Sequence, residues 1–478
     1  MEGLEKIEEL RRTGSDYNYG FQTKTKYKYD FGAGITEELI REISRIKKEP
    51  EWMLKLRLAS YKDFMSRPTP TWGYPDLDKD MDFDKFYYYS PPDSPFTTDW
   101  DKVPKEIKDT YEKLGVPDAE RKILAGSLSV FDSDSVVAKL RKEWQDKGVI
   151  FTDVDTALKE HPDLVRKYFM KSVPFSDNKF SALHGAVWSG GPFIYIPPGV
   201  KIDTPLQTYF RMNRKEGGQF EHTLIIADEG SEVTYVEGCS APVFEPDIKA
   251  LHAAIVEVFV QKGSKVKFIS AENWSRNVYN LNTKRAIVGA NANMEWVEAT
   301  LGSKVTMLYP ASYLVGDGAS SSNLTVSFAQ PGTWKDSGSK VIMSAKNQSA
   351  KIISKSISLG GGSAVYRGLL RINKNAANAK AYTQCDSLLL DEGAVTSTFP
   401  HNEVLNSSAK IYHEATVGRV SREKLFYLMS RGLTEAQARS LIVLGFMDSV
   451  LKEIPLEFAV EINRLIDTEI SKLPGATG

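Results

Sequence analysis

The first part of the chain alternates between helical patterns and proline-rich sequence. Thr36 is a typical N-cap residue before Glu37, and the isoleucines that follow recur on one helical face. Apolar residues at helical spacing predict helices over three further stretches: 51–64, 136–144 and 158–168. Prolines occur too densely in residues 68–95 for a long helix or a central strand. We therefore expect a helical and irregular N-terminal region over residues 1–172.

Near Phe175 the pattern changes to short runs of β-branched and small residues, and this continues for more than two hundred residues. The segment Ser349-Ala350-Lys351-Ile352 recurs at Asn378–Ala381 and again at Ser408–Ile411. Looser copies begin at four earlier positions, Ser231, Ser264, Asn293 and Ser322. The chain therefore carries a repeat of about thirty residues.

A repeat of short strands at this period is typical of stacked rungs, in which each copy buries its apolar side chains against the next. We predict a mainly β fold with helical ends, with a parallel β-helix core over residues 173–418. A β-sandwich of many short strands is the alternative. The near-constant period favours the β-helix.

After Arg419 the strand pattern ends and helical patterns return. Ser421 is a suitable N-cap for a helix that ends at Gly432, and Thr434 caps a second helix that Gly445 interrupts. Residues 450–470 are again helical in pattern, except around a proline. We expect residues 419–478 to form a helical domain that either caps the solenoid or binds a partner.

Composition narrows the class of protein. Lys and Arg number 61 against 62 for Asp and Glu, so the charge balance indicates no nucleic-acid partner. The charged N-terminus does not resemble a signal peptide, and the chain has no apolar run long enough to span a membrane. We expect a cytoplasmic protein. Its two cysteines, Cys239 and Cys385, are then thiols rather than a disulfide, with an inert core position as the alternative for either.

The last two repeats place a possible metal site. Aligning residues 378–385 with 408–415 puts Cys385 opposite Ala415 and Thr383 opposite His413, so Cys385 and His413 share one face of the sheet. Glu414 falls on the other face unless a bulge re-aims it. Thiolate, imidazole and carboxylate ligands suit iron, but one chain with two distant cysteines cannot fill a cluster's four positions. Any such site must be completed by a second subunit, sulfide or a labile ligand.

Cys239 occupies a repeat position equivalent to that of Glu272, so we expect the two to stack on adjacent rungs. A neighbouring carboxylate would raise the thiol pKa, whereas Arg211 or Lys284 nearby would lower it. The sequence leaves open which neighbour has the larger effect.

Six separated motifs resemble the SufB family of the SUF iron–sulfur cluster assembly system. They are Phe210–Asn213, Glu237–Pro242, Thr283–Ala286, Gln384–Ser387, His413–Thr416 and Leu425–Leu433. Their order and approximate spacing agree with that family from about residue 20 to residue 460. The resemblance implies a right-handed parallel β-helix and a scaffold, rather than an enzyme in its own right.

The resemblance also implies roles for particular residues and partners. Cys385 would hold the nascent cluster, with His413 and Glu414 as further ligands. Cys239 would accept persulfide sulfur from a cysteine desulfurase or a sulfur-transfer protein, and a further set would line the route between the thiols: Arg211, Asn213, Glu272, Trp274 and Lys284. The family often carries Gln at position 272. A SufC-type ATPase would bind the C-terminal helices, so that ATP acts only through this partner, and a SufD paralogue or a second SufB copy would complete the site.

The source of electrons and two alternative functions complete the predictions from the sequence. A reduced flavin is a family-level source of electrons, although no glycine-rich dinucleotide motif follows a strand here. A SufD-like subunit that forms no cluster is an alternative, but the two cysteines together with His413-Glu414 favour SufB. A β-helical carbohydrate-active enzyme is a third reading, which predicts a signal peptide and paired acids.

Overall fold

The computed structural model describes residues 20–114 and 124–454, with positions 459, 463, 466, 469 and 470. Much of the helical pattern predicted for residues 450–470 therefore lies outside the described residues, as does part of each terminal region. The helices are α1 Glu37–Lys47, α2 Glu51–Ser66, α3 Leu77–Asp80, α4 Lys105–Lys113, α5 Lys142–Gln145, α6 Val154–Glu160, α7 Pro162–Tyr168, α8 Lys179–Val187, α9 Arg422–Ser430 and α10 Glu435–Leu451. None of the helices among these residues is long and apolar enough to cross a membrane.

The strands between the helices form a parallel β-helix of about eight turns, which confirms the predicted fold class. They are β1 Gly126–Phe131, β2 Asp134–Leu140, β3 Ile150–Asp153, β4 Pro192–Ile196, β5 Leu206–Arg211, β6 Gly218–Gln219, β7 His222–Ala227, β8 Glu232–Ser240, β9 Ala250–His252, β10 Ile255–Val260, β11 Lys265–Trp274, β12 Val278–Asn280, β13 Thr283–Val288, β14 Asn293–Gly302, β15 Val305–Leu308, β16 Ala311–Leu314, β17 Ser320–Ala329, β18 Trp334–Met343, β19 Ser349–Ser358, β20 Ser363–Ile372, β21 Lys380–Leu389, β22 Val395–Val404 and β23 Lys410–Arg419.

Two sheets make up the walls of the solenoid. The first runs β2-β1-β5-β8-β11-β14-β17-β19-β21-β23 and is parallel except for the β1–β2 pair. The second changes width at β18, whose first half pairs with β15 and whose second half pairs with β16. Earlier rungs therefore have two short strands on this side, and later rungs have one long strand, β18, β20 or β22.

Thr36 caps the first helix as predicted, whereas the helix predicted over residues 136–144 is wrong. The Thr36 side chain accepts a hydrogen bond from the backbone N–H of Leu39 at 3.1 Å and begins α1. The predicted helix over 136–144 is instead strand β2 followed by the single turn of α5. Val136 to Ala138 are buried, and spacing alone cannot separate a continuous apolar strand from a buried helix.

The repeat is real, but four of its six predicted steps were misaligned. Ser349 lies opposite Lys380 rather than Asn378, and Asn293 lies opposite Ser320 rather than Ser322. The step from Ser264 to Asn293 is off by one, because Lys265 is the partner of Asn293. The turns between strands differ in length from rung to rung, so similarity among small turn residues does not fix the register of the strands.

Two steps of the repeat were aligned correctly, and these are the ones that place both cysteines. Cys385 lies opposite Ala415 and Thr383 opposite His413, as predicted. Cys239 lies opposite Glu272, also as predicted.

The two ends of the β-helix differ. Antiparallel partners β2 and β3 close its first rungs, and α6 and α7 pack beside them. At the other end no described strand pairs with the outer edges of β22 and β23. Large apolar side chains are exposed on these two strands: Val395, Phe399, Val404, Tyr412 and Val417. We call this surface, formed by β22 and β23, the open end.

The described C-terminal helix α10 packs on the side of the solenoid rather than on the open end. Val443 and Met447 of α10 pack on the outer face of the first sheet, against Val326, Phe328 and Ile357. The helix runs without a break through position 445, which corrects the predicted interruption at Gly445. Between α9 and α10, Gly432 adopts a left-handed φ of 92°, as expected for a residue that ends a helix.

Candidate functional site

The thiol of Cys385 lies inside the β-helix, one rung before the open end. Cys385 is 3% exposed, and its Sγ atom is 3.8 Å from Nε2 of His413 on β23. Burial raises the pKa of the Cys385 thiol to about 11, against a smaller lowering from a hydrogen bond with Tyr366. The thiol is therefore protonated at neutral pH, and a metal that binds it must displace the proton.

Glu414 is exposed and lies on the other face of β23. Its register partner is Gln384, which accepts a hydrogen bond from the Tyr382 hydroxyl at 3.1 Å and donates to Asp386 at 2.8 Å. These side chains form an outer polar row, whereas Cys385 faces the interior. Across the ranges the structure describes, no three His, Cys, Asp or Glu side chains come close enough to hold one metal ion. Cys385 and His413 therefore form a pair rather than a complete set of metal ligands.

Cys239 lies in the interior near the other end, beside a buried cluster of charges. The Lys284 ammonium is 2.8 Å from Glu237 Oε1, 3.0 Å from Glu298 Oε2 and 3.7 Å from Glu272 Oε1. All four of these side chains are buried. Burial raises the pKa of the Cys239 thiol well above its usual value, the carboxylates of Glu237 and Glu272 raise it further, and Lys284 opposes them. Burial and the acids therefore have the larger effect on this thiol.

The strand register connects the two cysteines through stacked interior polar side chains. One column, which we call the Cys385 column, contains one residue from each successive rung: Thr208, Glu237, Ser270, Glu298, Thr325, Ser354 and Cys385. Beside it runs the Cys239 column: Cys239, Glu272, Thr300, Ser327, Ser356 and Ser387. Every member of both columns is buried.

The columns give the interior a continuous polar strip. Five inter-strand steps of about 4.8 Å separate the rungs of the two cysteines, which makes about 24 Å along the solenoid axis. Hydroxyl groups also pair across and along the strip: Ser327 Oγ is 2.5 Å from Ser337 Oγ, and Ser356 Oγ is 2.8 Å from Ser387 Oγ. Ser and Thr are mostly exposed in folded proteins, so buried hydroxyls at so many consecutive rungs mark this part of the interior as polar.

Comparison with known proteins identifies the family. Residues 210–446 match the family model for the SUF system FeS cluster assembly SufBD core domain, and residues 87–208 match the SufBD protein N-terminal region. An iron–sulfur cluster assembly SufBD family protein of Staphylococcus saprophyticus is 50% identical over 455 residues, which cover 95% of this chain and 97% of the relative. SufBD family proteins of Staphylococcus epidermidis and Staphylococcus aureus are 49% and 50% identical over the same shares. The chain belongs to the SufBD family. This membership replaces the carbohydrate-active reading.

The SufBD chain does not bring all of the predicted route residues together. Arg211 lies on the outer face of β5, where Nη1 donates to Ser240 Oγ at 3.1 Å and Nη2 donates to the Phe21 carbonyl at 2.5 Å. Asn213 accepts from the Thr23 backbone N–H at 2.8 Å through Oδ1. Both residues hold the N-terminal segment against the solenoid rather than face Cys239.

Trp274 and Glu272 do lie inside the SufBD solenoid. The Trp274 indole packs against the ring of His252 with centroids 4.5 Å apart, and His252 in turn pairs with Glu221 at 2.5 Å. Glu272 accepts a hydrogen bond from Asn280 Nδ2 at 2.6 Å. Trp274 and Glu272 therefore belong with Lys284 to the buried cluster around Cys239.

Four of the residues that define this interior had no predicted role. Glu237 and Glu298 are ion-pair partners of Lys284, and Thr325 and Ser354 lie between Glu298 and Cys385 in the same column. The available signal was the alternation along each strand, in which residues two positions apart face the interior. It could be used only with the correct register.

Proposed function

We propose that this SufBD family chain is a SufB-type scaffold subunit, on which a nascent iron–sulfur cluster is built at Cys385 and then passed on. The observation that carries the proposal is the contact between Cys385 and His413 beside the open end. Thiolate and imidazole are both iron ligands, and iron–sulfur clusters need more ligands than these two. A SufD paralogue or a second copy of this chain, bound at the open end, would supply the others. Glu414 would join only if that contact re-aims β23.

Sulfur would reach Cys385 from Cys239. In this proposal Cys239 accepts sulfane sulfur from a cysteine desulfurase or a sulfur-transfer protein: its thiolate attacks the outer sulfur of the donor persulfide, a new S–S bond forms and the donor thiolate leaves. Glu237 and Glu272 are the carboxylates placed to accept the Cys239 proton. Because about 24 Å separates the two thiols, the sulfur must leave Cys239 before it reaches Cys385. Two electrons, for which a reduced flavin is the proposed donor class, would cleave the Cys239 persulfide to the thiolate and hydrosulfide, and the hydrosulfide would then move to Cys385.

The polar columns support an interior passage for that sulfur. Persulfide and hydrosulfide are anions, and an apolar core would exclude them. At the Cys239 end of the columns, the Lys284 ammonium offsets the negative charge of the acids around it, while Trp274 and Glu272 would shape the passage. Arg211 and Asn213 would act indirectly, because they fix the N-terminal segment over the strand that precedes Cys239.

A SufC-type ATPase would bind the C-terminal helices. α9 exposes Phe426, Tyr427 and Met429, and the first of these is 75% exposed. α10 packs on the outer face of the rungs that carry the columns. A movement of the C-terminal helices would therefore be transmitted to the solenoid wall. ATP would act only through this partner. We place the protein in the cytoplasm, where two unpaired thiols stay reduced.

Anaerobic reconstitution with the partner proteins tests the scaffold role. With iron and free sulfide, Cys385→Ala should lose the visible absorption of the cluster and its bound iron and sulfide, whereas Cys239→Ala should keep them. When sulfur comes instead from a desulfurase and cysteine, both variants should fail. An undiminished chromophore in Cys385→Ala would remove that residue from the role. Partner binding without any cluster in the unmodified protein would instead favour a SufD-like subunit.

A further inference from the structure

A second feature of the molecule lies on the outside of the second sheet. A pocket of about 460 Å³ opens between the proline-rich segment 67–72 and the strands β13, β16 and β18. The first residues of α8 form a third wall. This volume falls in the range of small-molecule sites, and the pocket is separate from the Cys385 site.

The charges that line the pocket are mostly positive. Five cationic residues line it, Arg67, Lys179, Lys284, Arg285 and Lys340, against the single acidic residue Asp177. The ammonium of Lys284 is paired with Glu237 and Glu298, so the other four supply the charge of the pocket. The Asp177 carboxylate is already engaged, because its Oδ1 atom accepts a hydrogen bond from Arg285 Nη2 at 2.9 Å. The pocket therefore has an excess of positive charge with no acid left to balance it.

Lys340 differs from the other cations of the pocket in its lack of a polar partner among the described residues. Arg67 pairs with Asp63, and Lys179 donates to the carbonyl oxygens of Phe64 and Arg67. Within the described ranges, the Lys340 ammonium makes no ion pair or hydrogen bond and instead lies 5.4 Å from the centre of the Tyr309 ring. Burial lowers the pKa of Lys340, and an anion bound beside it would reverse that shift.

The remaining wall is aromatic and apolar. Trp72 is 45% exposed, and its ring centroid lies 5.6 Å from that of the buried Tyr309. Phe180 and Met307 line the same pocket. Flat apolar surfaces next to unpaired positive charge suit a ligand with both a planar ring and an anionic group.

We propose that this pocket binds a small organic anion of mononucleotide size, with its phosphate at Lys340 and Arg285 and its ring against Trp72 and Tyr309. The pocket would then be a ligand site of its own, and the proposal does not depend on the scaffold function. Phosphate alone would gain the charge contacts without the ring contacts, and a nucleoside would gain the reverse. Both should bind more weakly than the complete nucleotide.

Calorimetric titration of the full chain tests the site with four mononucleotide probes, AMP, GMP, UMP and FMN, and with adenosine and inorganic phosphate as fragments. At least one mononucleotide should bind below about 1 mM, and AMP should bind more tightly than either of its fragments. Lys340→Ala should weaken nucleotide binding about tenfold, and Lys340→Arg should restore it. The exposed Lys351 offers a matched control, since Lys351→Ala should leave binding unchanged. Absence of binding by all four nucleotides, or equal binding in Lys340→Ala, would overturn the proposal.

Discussion

The Nε2 atom of His413 lies 3.8 Å from the Sγ atom of Cys385, whereas Glu414, the next residue in the strand, faces away from the thiol. Successive side chains of a strand point to opposite faces, so only one of these two residues can share the interior with Cys385. In this chain the side chain beside the Cys385 thiol is therefore the imidazole.

Variants of these two residues should separate their roles. His413→Ala should reduce iron and sulfide bound per chain severalfold in anaerobic reconstitution, because it removes the imidazole that lies beside Cys385. Glu414→Ala should retain most of the bound cluster, since its carboxylate lies on the outer face. The measurement is the visible spectrum together with iron and sulfide assays. An equal loss in Glu414→Ala would contradict this assignment and would mean that β23 turns over when the partner binds.

The interior columns lead to a second prediction, at Thr325. Thr325→Val keeps the size and shape of the side chain but removes the hydroxyl one rung beyond Glu298 and two rungs before Cys385. Cluster formation should slow severalfold when sulfur is supplied by a desulfurase, because the passage then has an apolar step. Formation from free iron and sulfide should keep its rate. Thr325→Ser retains a hydroxyl and serves as the control.

One outcome would contradict the passage, and a second would show that the variant has damaged the Cys385 site. If Thr325→Val forms clusters from desulfurase sulfur at the rate of the unmodified protein, sulfur does not travel along the Cys385 column. If free sulfide also fails in this variant, the substitution has damaged the site itself. Urea unfolding of both Thr325 variants would show whether the fold is intact.

Glu298 should make the free energy of unfolding of this chain depend on pH. Burial raises the pKa of its carboxyl from 4.5 to about 8, with Glu272 and Glu237 adding to the shift and Lys284 opposing it. The folded chain therefore binds a proton more tightly than the unfolded chain does. The stabilisation is complete below about pH 4.5 and is lost as the pH rises through about 8.

The free energy of unfolding should consequently fall between pH 5 and pH 8, by no more than about 1.4 kcal/mol per pH unit from this one group. Glu298→Gln, which stays neutral, should flatten the curve over this interval. The measurement is urea or thermal unfolding at a series of pH values. A slope that is unchanged in Glu298→Gln would assign the dependence to another group.

Lys284 should be the residue whose loss damages this cluster most. Lys284→Met keeps the length of the side chain but leaves the buried carboxylates of Glu237 and Glu272 without their counter-charge, which costs about 3–5 kcal/mol in comparable cases. The free energy of unfolding at neutral pH should fall by an amount of this order. Combining Lys284→Met with Glu237→Gln should recover part of the loss. If the single variant unfolds at the same urea concentration as the unmodified chain, the ion pairs are not the source of stability.

The sequence predicted the fold class and the surroundings of both cysteines, for a physical reason. A repeat that buries apolar side chains against its neighbours leaves a period in the sequence. Where adjacent copies were aligned correctly, as for Cys239 with Glu272 and Cys385 with Ala415, contacts across rungs followed directly. The helix predicted over 136–144 failed because a strand buried on both faces loses the alternation that identifies it.

The columns and the charge cluster could not be predicted in the same way. A serine or threonine in a strand is equally compatible with the outer surface, and only the register decides which face it occupies. The middle rungs were misaligned by one or two residues, so Thr325 and Ser354 had no assigned neighbours. Arg211 entered the predicted route through family resemblance. Strand alternation, which places the adjacent Phe210 in the core, assigns it to the outer face.

The open end should be where a second solenoid binds, since β22 and β23 present unpaired backbone edges and exposed apolar side chains. A lysine on an edge strand opposes pairing, because its charge would have to be desolvated. Val417→Lys on β23 should therefore weaken association with a SufD paralogue or a second copy at least about tenfold, and bound cluster should fall with it. Val243 is 65% exposed, against 57% for Val417, and it does not belong to β22 or β23. Val243→Lys is therefore the matched control. Size-exclusion chromatography with light scattering measures the association. Equal association of the two variants would place the second subunit elsewhere, and the Cys385 site would then have to obtain its remaining ligands from another source.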